Sequence, residues 1–172
     1  MINPSLSRDV KKRESPVLYR ALRYGPLLIW MAFISFASTN DFSSMNTSKV
    51  IRPLILWLLP NATEVQLATF HLAIRKTAHF LEYGLLALLA GRAFVTSSVA
   101  LIRQHWFLLG ILLVTLYALL DEFHQSFVSS RTGSLYDSAI DVIGGLTVLL
   151  IFRAYQPGEE VEVLESRGDN DS

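Results

Sequence analysis

Lys76, His79 and Tyr83 stand at i, i+3 and i+7, and Asp137 and Asp141 at i and i+4, so on helices each set shares one face. Asp121, Glu122, His124 and Gln125 follow one another closely, with Arg131 shortly after. These residue types can bind anions and move protons. Lysine and arginine hold phosphate or carboxylate, arginine in a bidentate fork. Histidine and carboxylates exchange protons near neutral pH. His79, Asp121, Glu122 and Asp137 are therefore the candidate proton-transfer groups. Lys76, Tyr83, Gln125, Arg131 and Asp141 are the candidate binding groups. Consecutive helical residues point about 100° apart, so only one of Asp121 and Glu122 faces a given partner, and spacing does not choose between them. Each set also has a structural reading. Lys76, His79 and Tyr83 suit interhelical hydrogen bonding with a snorkelling lysine. The acids of 121–125 suit a solvated helix end. Asp137 suits a helix N-cap, and for Arg131 an internal pair with Asp137 or Asp121 is favoured. Asp137 and Asp141 with His79, Glu82, Glu122 or His124 offer oxygen and imidazole ligands. No tight ligand motif such as HExxH is present, so neither a metal nor a cofactor is expected. His71 and His105 lie apart and read as interface residues.

The elements that must position these groups are hydrophobic runs. The 172-residue chain is 51% hydrophobic and 17% charged, against about 45–50% and about 25% in soluble domains. The arrangement is more telling than the mean. Residues 25–37 are uncharged. A second run follows His79, a third spans Trp106 to Leu120, and a fourth runs from about Ala139 to Tyr155. Each approaches the ~20 residues that cross ~30 Å of hydrocarbon, the first and fourth by borrowing flanking residues. Lipid offers no partner to open backbone groups, so these are helices. The expected fold is an all-α membrane bundle of four transmembrane helices. VIRPLILWLLP (50–60), bracketed by Pro53 and Pro60, is too short to cross and reads as an interfacial or re-entrant helix in the first loop. Thr63 with Gln66 forms a capping-box pattern, so the second helix begins near Thr63 and runs to Phe94, roughly 48 Å at 1.5 Å per residue. Its first turns would stand outside the hydrocarbon.

Three segments result: a basic N-terminal stretch (1–24), the membrane domain (25–155) and an acidic, apolar-poor tail (156–172) that reads as disordered. The basic stretch, the first run and the small-x-small end at Ser35–Ala37 also fit a cleavable signal peptide, although the long basic stretch favours a retained span. Of fifteen basic residues, four spans place ten on the side of the termini and five on the other. The positive-inside rule then puts both termini in the cytoplasm of a plasma (inner) membrane protein. On that topology the groups above converge at the outer end. An ionisable group costs at least ~2.5–3.5 kcal/mol at mid-bilayer, so these groups should face inward and satisfy one another. Gly144 and Gly145 let the fourth helix approach a neighbour closely. Zero formal net charge argues against a nucleic-acid surface. The absence of cysteine excludes disulfides and thiolate-bound zinc.

RKTAHFLEYGLLA (75–87), LLDEFHQSFVSSRTGSLYDSAIDVIGG (119–145) and the four-span layout together resemble the VanZ-like membrane proteins. The family pattern falls on Lys76, His79, Phe80, Tyr83, Asp121, Glu122, Gln125, Arg131, Asp137 and Gly144. Asp141 stands where the pattern carries asparagine, and Val148 where a second, spaced glycine would stand. The first departure adds a negative charge to the group. The second weakens any detailed helix-packing analogy. The resemblance implies a cell-envelope protein connected with resistance to teicoplanin, a glycopeptide that acts outside the cell. It names no reaction.

Three functions are compatible with these residues. In the favoured one, an outward-facing polar cluster binds, and could chemically modify, a lipid-linked or cell-wall-related molecule. Lys76 and Arg131 hold its anionic group, His79 with Glu122 or Asp121 moves protons, and Asp137 orients a base. In the second, the cluster only fixes helix packing in a non-catalytic membrane interaction protein. The third, a transporter or proton relay, ranks last because no charged steps continue through the span. Membrane lipids are the expected surroundings in all three.

Overall fold

A computed structural model describes residues 16–38, 44–127 and 135–156, and no strand occurs among them. The helices are α1 (Pro16–Ala37), α2 (Ser44–Leu58), α3 (Glu64–Val95), α4 (Ala100–Gln104), α5 (Trp106–Ser126) and α6 (Leu135–Ala154). Three stretches, Val17–Ala37, Glu64–Val95 and Trp106–Ser126, are long and apolar enough to cross a membrane. α6 has 20 residues and carries Asp137, Asp141 and Arg153.

Burial is inverted relative to a soluble protein. The outward faces carry Leu28, Ile29, Phe33, Leu81, Leu108, Leu112, Leu116, Ile143 and Ile151, all exposed. The inward faces mix small and polar residues with a few large apolar ones: Leu86, Ala87, Ala90, Gly91 and Ala93 on α3, Gly110, Val114 and Ala118 on α5, and Ser138, Asp141 and Leu149 on α6. Without a hydrophobic drive between helices in lipid, close packing of small residues and interhelical hydrogen bonds hold such a bundle together. This is a membrane protein's pattern.

α3 sits at the centre, packing most extensively on α6, then on α5, α1 and α2. It starts as its sequence dictates. Gln66 N donates to Thr63 Oγ1 (3.3 Å) and Thr63 N donates to Gln66 Oε1 (2.9 Å), a complete capping box. α3 and α6 run parallel, as the pairs Lys76–Asp137 and His79–Asp141 show, while α5 opposes α6, with Gly110 beside Leu149 and Ser138 donating to the Ala118 carbonyl.

The glycine pair of α6 seats it on two neighbours. A Cβ at Gly144 would meet the backbone of Phe80 on α3, and one at Gly145 would lie 2.6 Å from Val114 Cγ1 on α5. On the other flank, α1 docks through hydrogen bonds. Trp30 Nε1 donates to the Glu82 carbonyl (3.0 Å), Tyr117 Oη donates to the Met31 carbonyl (2.5 Å), and Tyr24 Oη lies 3.0 Å from Ser97 Oγ. Trp30, which lies inside its apolar run, thus serves as an interhelical donor. Trp30→Phe removes one neutral hydrogen bond, an expected loss of about 0.5–1.5 kcal/mol, visible as a small drop in the thermal midpoint of detergent-solubilised protein.

α2 begins earlier than residues 50–60 suggest, and Pro53 lies inside it. Apolar periodicity misses the polar first turns, and a proline deletes one backbone bond without ending the helix when packing supports it. Ile55 is buried, while Val50, Leu54, Trp57 and Leu58 form an exposed stripe. Arg52 donates to both carboxylate oxygens of Glu64 at 3.0 and 2.5 Å, tying α2 to the start of α3. Both partners are exposed. Arg52→Ala should therefore change global stability by only about 0–1 kcal/mol, measured by the same melt, while proteolysis within 44–62 speeds up.

Candidate functional site

Because α3 and α6 are parallel and touch at Gly144, matching positions face each other across the seam. Lys76 Nζ pairs with Asp137 Oδ1, and Lys76 also stands 5.1 Å from the Tyr136 ring centroid. One turn deeper, His79 Nδ1 lies 3.3 Å from Asp141 Oδ1, within ion-pair reach but without hydrogen-bond alignment. Deeper still, Tyr83 is fully buried, and its hydroxyl finds no hydrogen-bond partner among the described residues. Lys76, His79 and Tyr83 therefore share a face, and that face looks at α6.

α5 delivers the remaining acids to the same end. Asp121 and Glu122 are both buried. Asp121 faces α1: its Oδ1 accepts from Ser38 Oγ, and its Oδ2 accepts from Gln125 Nε2 at 2.7 Å. Asp121, Asp141 and Glu82 all lie within electrostatic reach of both His79 and Tyr83. Of the two acids that spacing left undecided, Asp121 is engaged by the end of α1. His124 is exposed and lines, with Ser35, Tyr117, Leu120 and Asp121, an open groove of about 310 Å³ between α1 and α5.

Two placements differ from expectation. Asp137 lies in the first turn of α6, whose first residue is Leu135, so it is not the N-cap; it meets Lys76 instead. The acid beside His79 is Asp141 rather than Asp137, because one turn of α6 advances in step with one turn of the parallel α3. Arg131 lies outside the described residues. Among the described residues, no group of three His, Asp or Glu side chains is arranged to hold a metal ion.

A small cavity of about 30 Å³ opens along the α3–α6 seam, lined by Leu72, Arg75, Lys76, His79, Asp137, Ile140 and Asp141. It is large enough for a water-sized group. Arg75 and Ser38 complete the setting and were not among the sequence candidates. Arg75 carried a signal, standing four residues before His79 on the same face. Ser38 carried none beyond ending α1, since its role depends on how α1 docks on α5.

Chemically, the arrangement pairs an imidazole with a buried carboxylate beside a rim of two cations. That suits proton exchange with, or charge recognition of, a group entering the seam. Comparison with curated proteins and with solved structures returned no match. The family model described as VanZ/LLP1 matches residues 24–156, from the middle of α1 to just past α6. Over that span, which takes in every candidate residue named above, the chain is a member of the VanZ/LLP1 family.

Proposed function

We propose that this chain is a four-span protein of the plasma membrane, with α1, α3, α5 and α6 crossing and α2 lying on the outer interface. Both termini are cytoplasmic, consistent with the ten basic residues on that side. The Asp141 end of the bundle then faces outward at headgroup level. There it binds a lipid-linked or cell-wall-related molecule and acts on it by proton transfer. The observation that carries this reading is Asp141: it is 0% exposed, lies beside His79, lines the seam cavity, and has no hydrogen bond to either oxygen from a described residue. A membrane bundle keeps so costly a group only with compensation or with a use for it. Lys76 and Arg75 attract the anionic part of the ligand. Arg131, which the sequence places between α5 and α6, is assigned the same role. His79 passes a proton between Asp141 and the bound group, Asp121 and Glu122 supply further acid/base capacity, and Tyr83 and Gln125 shape the interior.

Family membership adds the expectation that the ligand's handling alters susceptibility to teicoplanin. The test is a strain carrying His79→Ala or Asp141→Asn at native expression. The reading predicts that susceptibility shifts as far as in a deletion strain while the variant still accumulates in the membrane. Wild-type susceptibility with either variant would overturn it.

A second reading has specific support. The hydrogen bond from Ser38 to Asp121 ties the end of α1 to α5, Gln125 braces that acid from within α5, and the Lys76–Asp137 pair ties α3 to α6. On that reading these residues only fix packing in a non-catalytic interaction protein. It predicts that function is lost only where the folded protein is lost.

A further inference from the structure

Asp141 imposes a chemical requirement on whatever fills the seam. An ionised carboxylate accepts hydrogen bonds and donates none, so its occupant must be a donor. A buried acceptor left unfilled is costly, and an occupant that donates recovers that loss. Size favours a small group beside Asp141: a cavity of about 30 Å³ suits a water, a hydroxyl or an ammonium. Charge narrows it further. Asp137 is matched by Lys76, whereas Asp141 has His79 alone, misaligned, with Asp121 and Glu82 adding negative potential around that imidazole. A primary ammonium supplies donors and opposite charge together, and such charge-assisted bonds are about twice as strong as neutral ones.

The rim has the complementary need. Arg75 lines the same cavity and makes no ion pair or hydrogen bond with a described residue. Its planar fork matches a phosphate, and Lys76 lies next to it. Leu72 and Ile140 form the apolar walls, and Ile143 continues an exposed apolar flank down α6. A deep acceptor and a shallow donor fork, separated by one helical turn along α3, fit a zwitterion with a short linker.

We propose that the α3–α6 seam binds a primary ammonium joined to a phosphate, with the ammonium on Asp141 and the phosphate on Arg75 and Lys76. The source is a phospholipid headgroup or a free aminoalkyl phosphate. This inference rests on the reading that the seam is a ligand site at headgroup level, and it names that ligand's class.

Native mass spectrometry of the detergent-solubilised full chain tests it. The probes are phosphatidylethanolamine, phosphatidylcholine and phosphatidylglycerol with identical acyl chains. The expected result is at least tenfold tighter binding of phosphatidylethanolamine than of phosphatidylcholine, whose nitrogen has no N–H. Asp141→Asn should reduce that preference at least tenfold. Arg75→Gln, which changes a partly exposed residue and does not threaten the fold, should instead weaken phosphatidylethanolamine and phosphatidylcholine alike, by at least tenfold, because both carry the phosphate. Soluble O-phosphoethanolamine distinguishes the sources. Displacement of the lipid at comparable concentration supports the pairing with the free compound as ligand; no displacement supports it with the lipid as ligand. Phosphatidylglycerol bound as tightly as phosphatidylethanolamine, or equal binding of all three lipids that neither variant alters, would overturn the inference. The broader ligand-site reading fails separately, in the susceptibility experiment, so the two failures are distinguishable.

Discussion

Gly144→Ala is expected to cost more than any other single-methyl addition in the bundle. The new Cβ would overlap the Phe80 carbonyl and stand 3.0 Å from Phe80 Cα and 3.1 Å from its carbonyl carbon. All three are backbone atoms of a helix, so no rotamer change relieves the overlap and α6 must move off α3. Overpacking typically costs about 1–3 kcal/mol, and a rigid obstacle belongs at the upper end or beyond. The displaced segment includes Asp141, one turn earlier, and Phe80 directly follows His79, so the seam opens as the bundle weakens. Two controls calibrate the result. Gly110→Ala meets only the side chain of Leu149, at 3.2 Å, which can shift, and Gly25→Ala meets nothing within 4 Å. The expected order of thermal midpoints in detergent is Gly25→Ala at or above wild type, Gly110→Ala slightly below it, and Gly144→Ala far below. A wild-type melt for Gly144→Ala would mean that α3 and α6 do not pack as described.

The second large effect concerns the buried pair. His79→Leu leaves the Asp141 carboxylate enclosed without its imidazole, and breaking a buried pair from one side costs about 3–5 kcal/mol. Replacing both partners by apolar residues is often neutral or stabilising by about 1–4 kcal/mol. His79→Leu with Asp141→Leu should therefore melt near the wild-type midpoint or above it. Function separates the two readings of these residues. If the pair works on a ligand, the double variant is stable and still behaves as a deletion strain. If the pair only holds helices together, function returns with stability. The neighbouring Lys76–Asp137 pair provides contrast. Its side chains are 32% and 40% exposed, so after solvent screening Asp137→Asn should change stability by only about 0–1 kcal/mol.

The parts of this architecture that local rules govern were legible in the sequence. Thr63 and Gln66 announce the start of α3 because a capping box is satisfied within four residues. Lys76, His79 and Tyr83 announce a common face because helical periodicity alone aligns them. Gly144 and Gly145 announce a close approach, although not that each glycine serves a different neighbour. What depended on docking was not legible. Which acid meets His79 follows from the relative register of α3 and α6, and the register is set by backbone contact at Gly144 rather than by either acid. Which of Asp121 and Glu122 turns toward α1 follows from where α1 ends, at Ser38. α2 escaped its true bounds because its first turns are polar and its proline is internal. Arg75 shares a face with His79 by spacing, but only the α3–α6 packing puts it on the cavity.

On the proposed topology the His79–Asp141 end of the bundle faces out of the cell. The chain has no cysteine, so one introduced thiol reports one position. Ser126→Cys, exposed at the end of α5, marks the Asp141 end, and Ser98→Cys, exposed in the α3–α4 connection, marks the opposite end. Intact cells are treated with a membrane-impermeant maleimide before or after lysis. The account predicts that Ser126→Cys is labelled before lysis and Ser98→Cys only after it. The reverse pattern would place the seam, Asp141 and its rim of cations in the cytoplasm and contradict an envelope ligand outright.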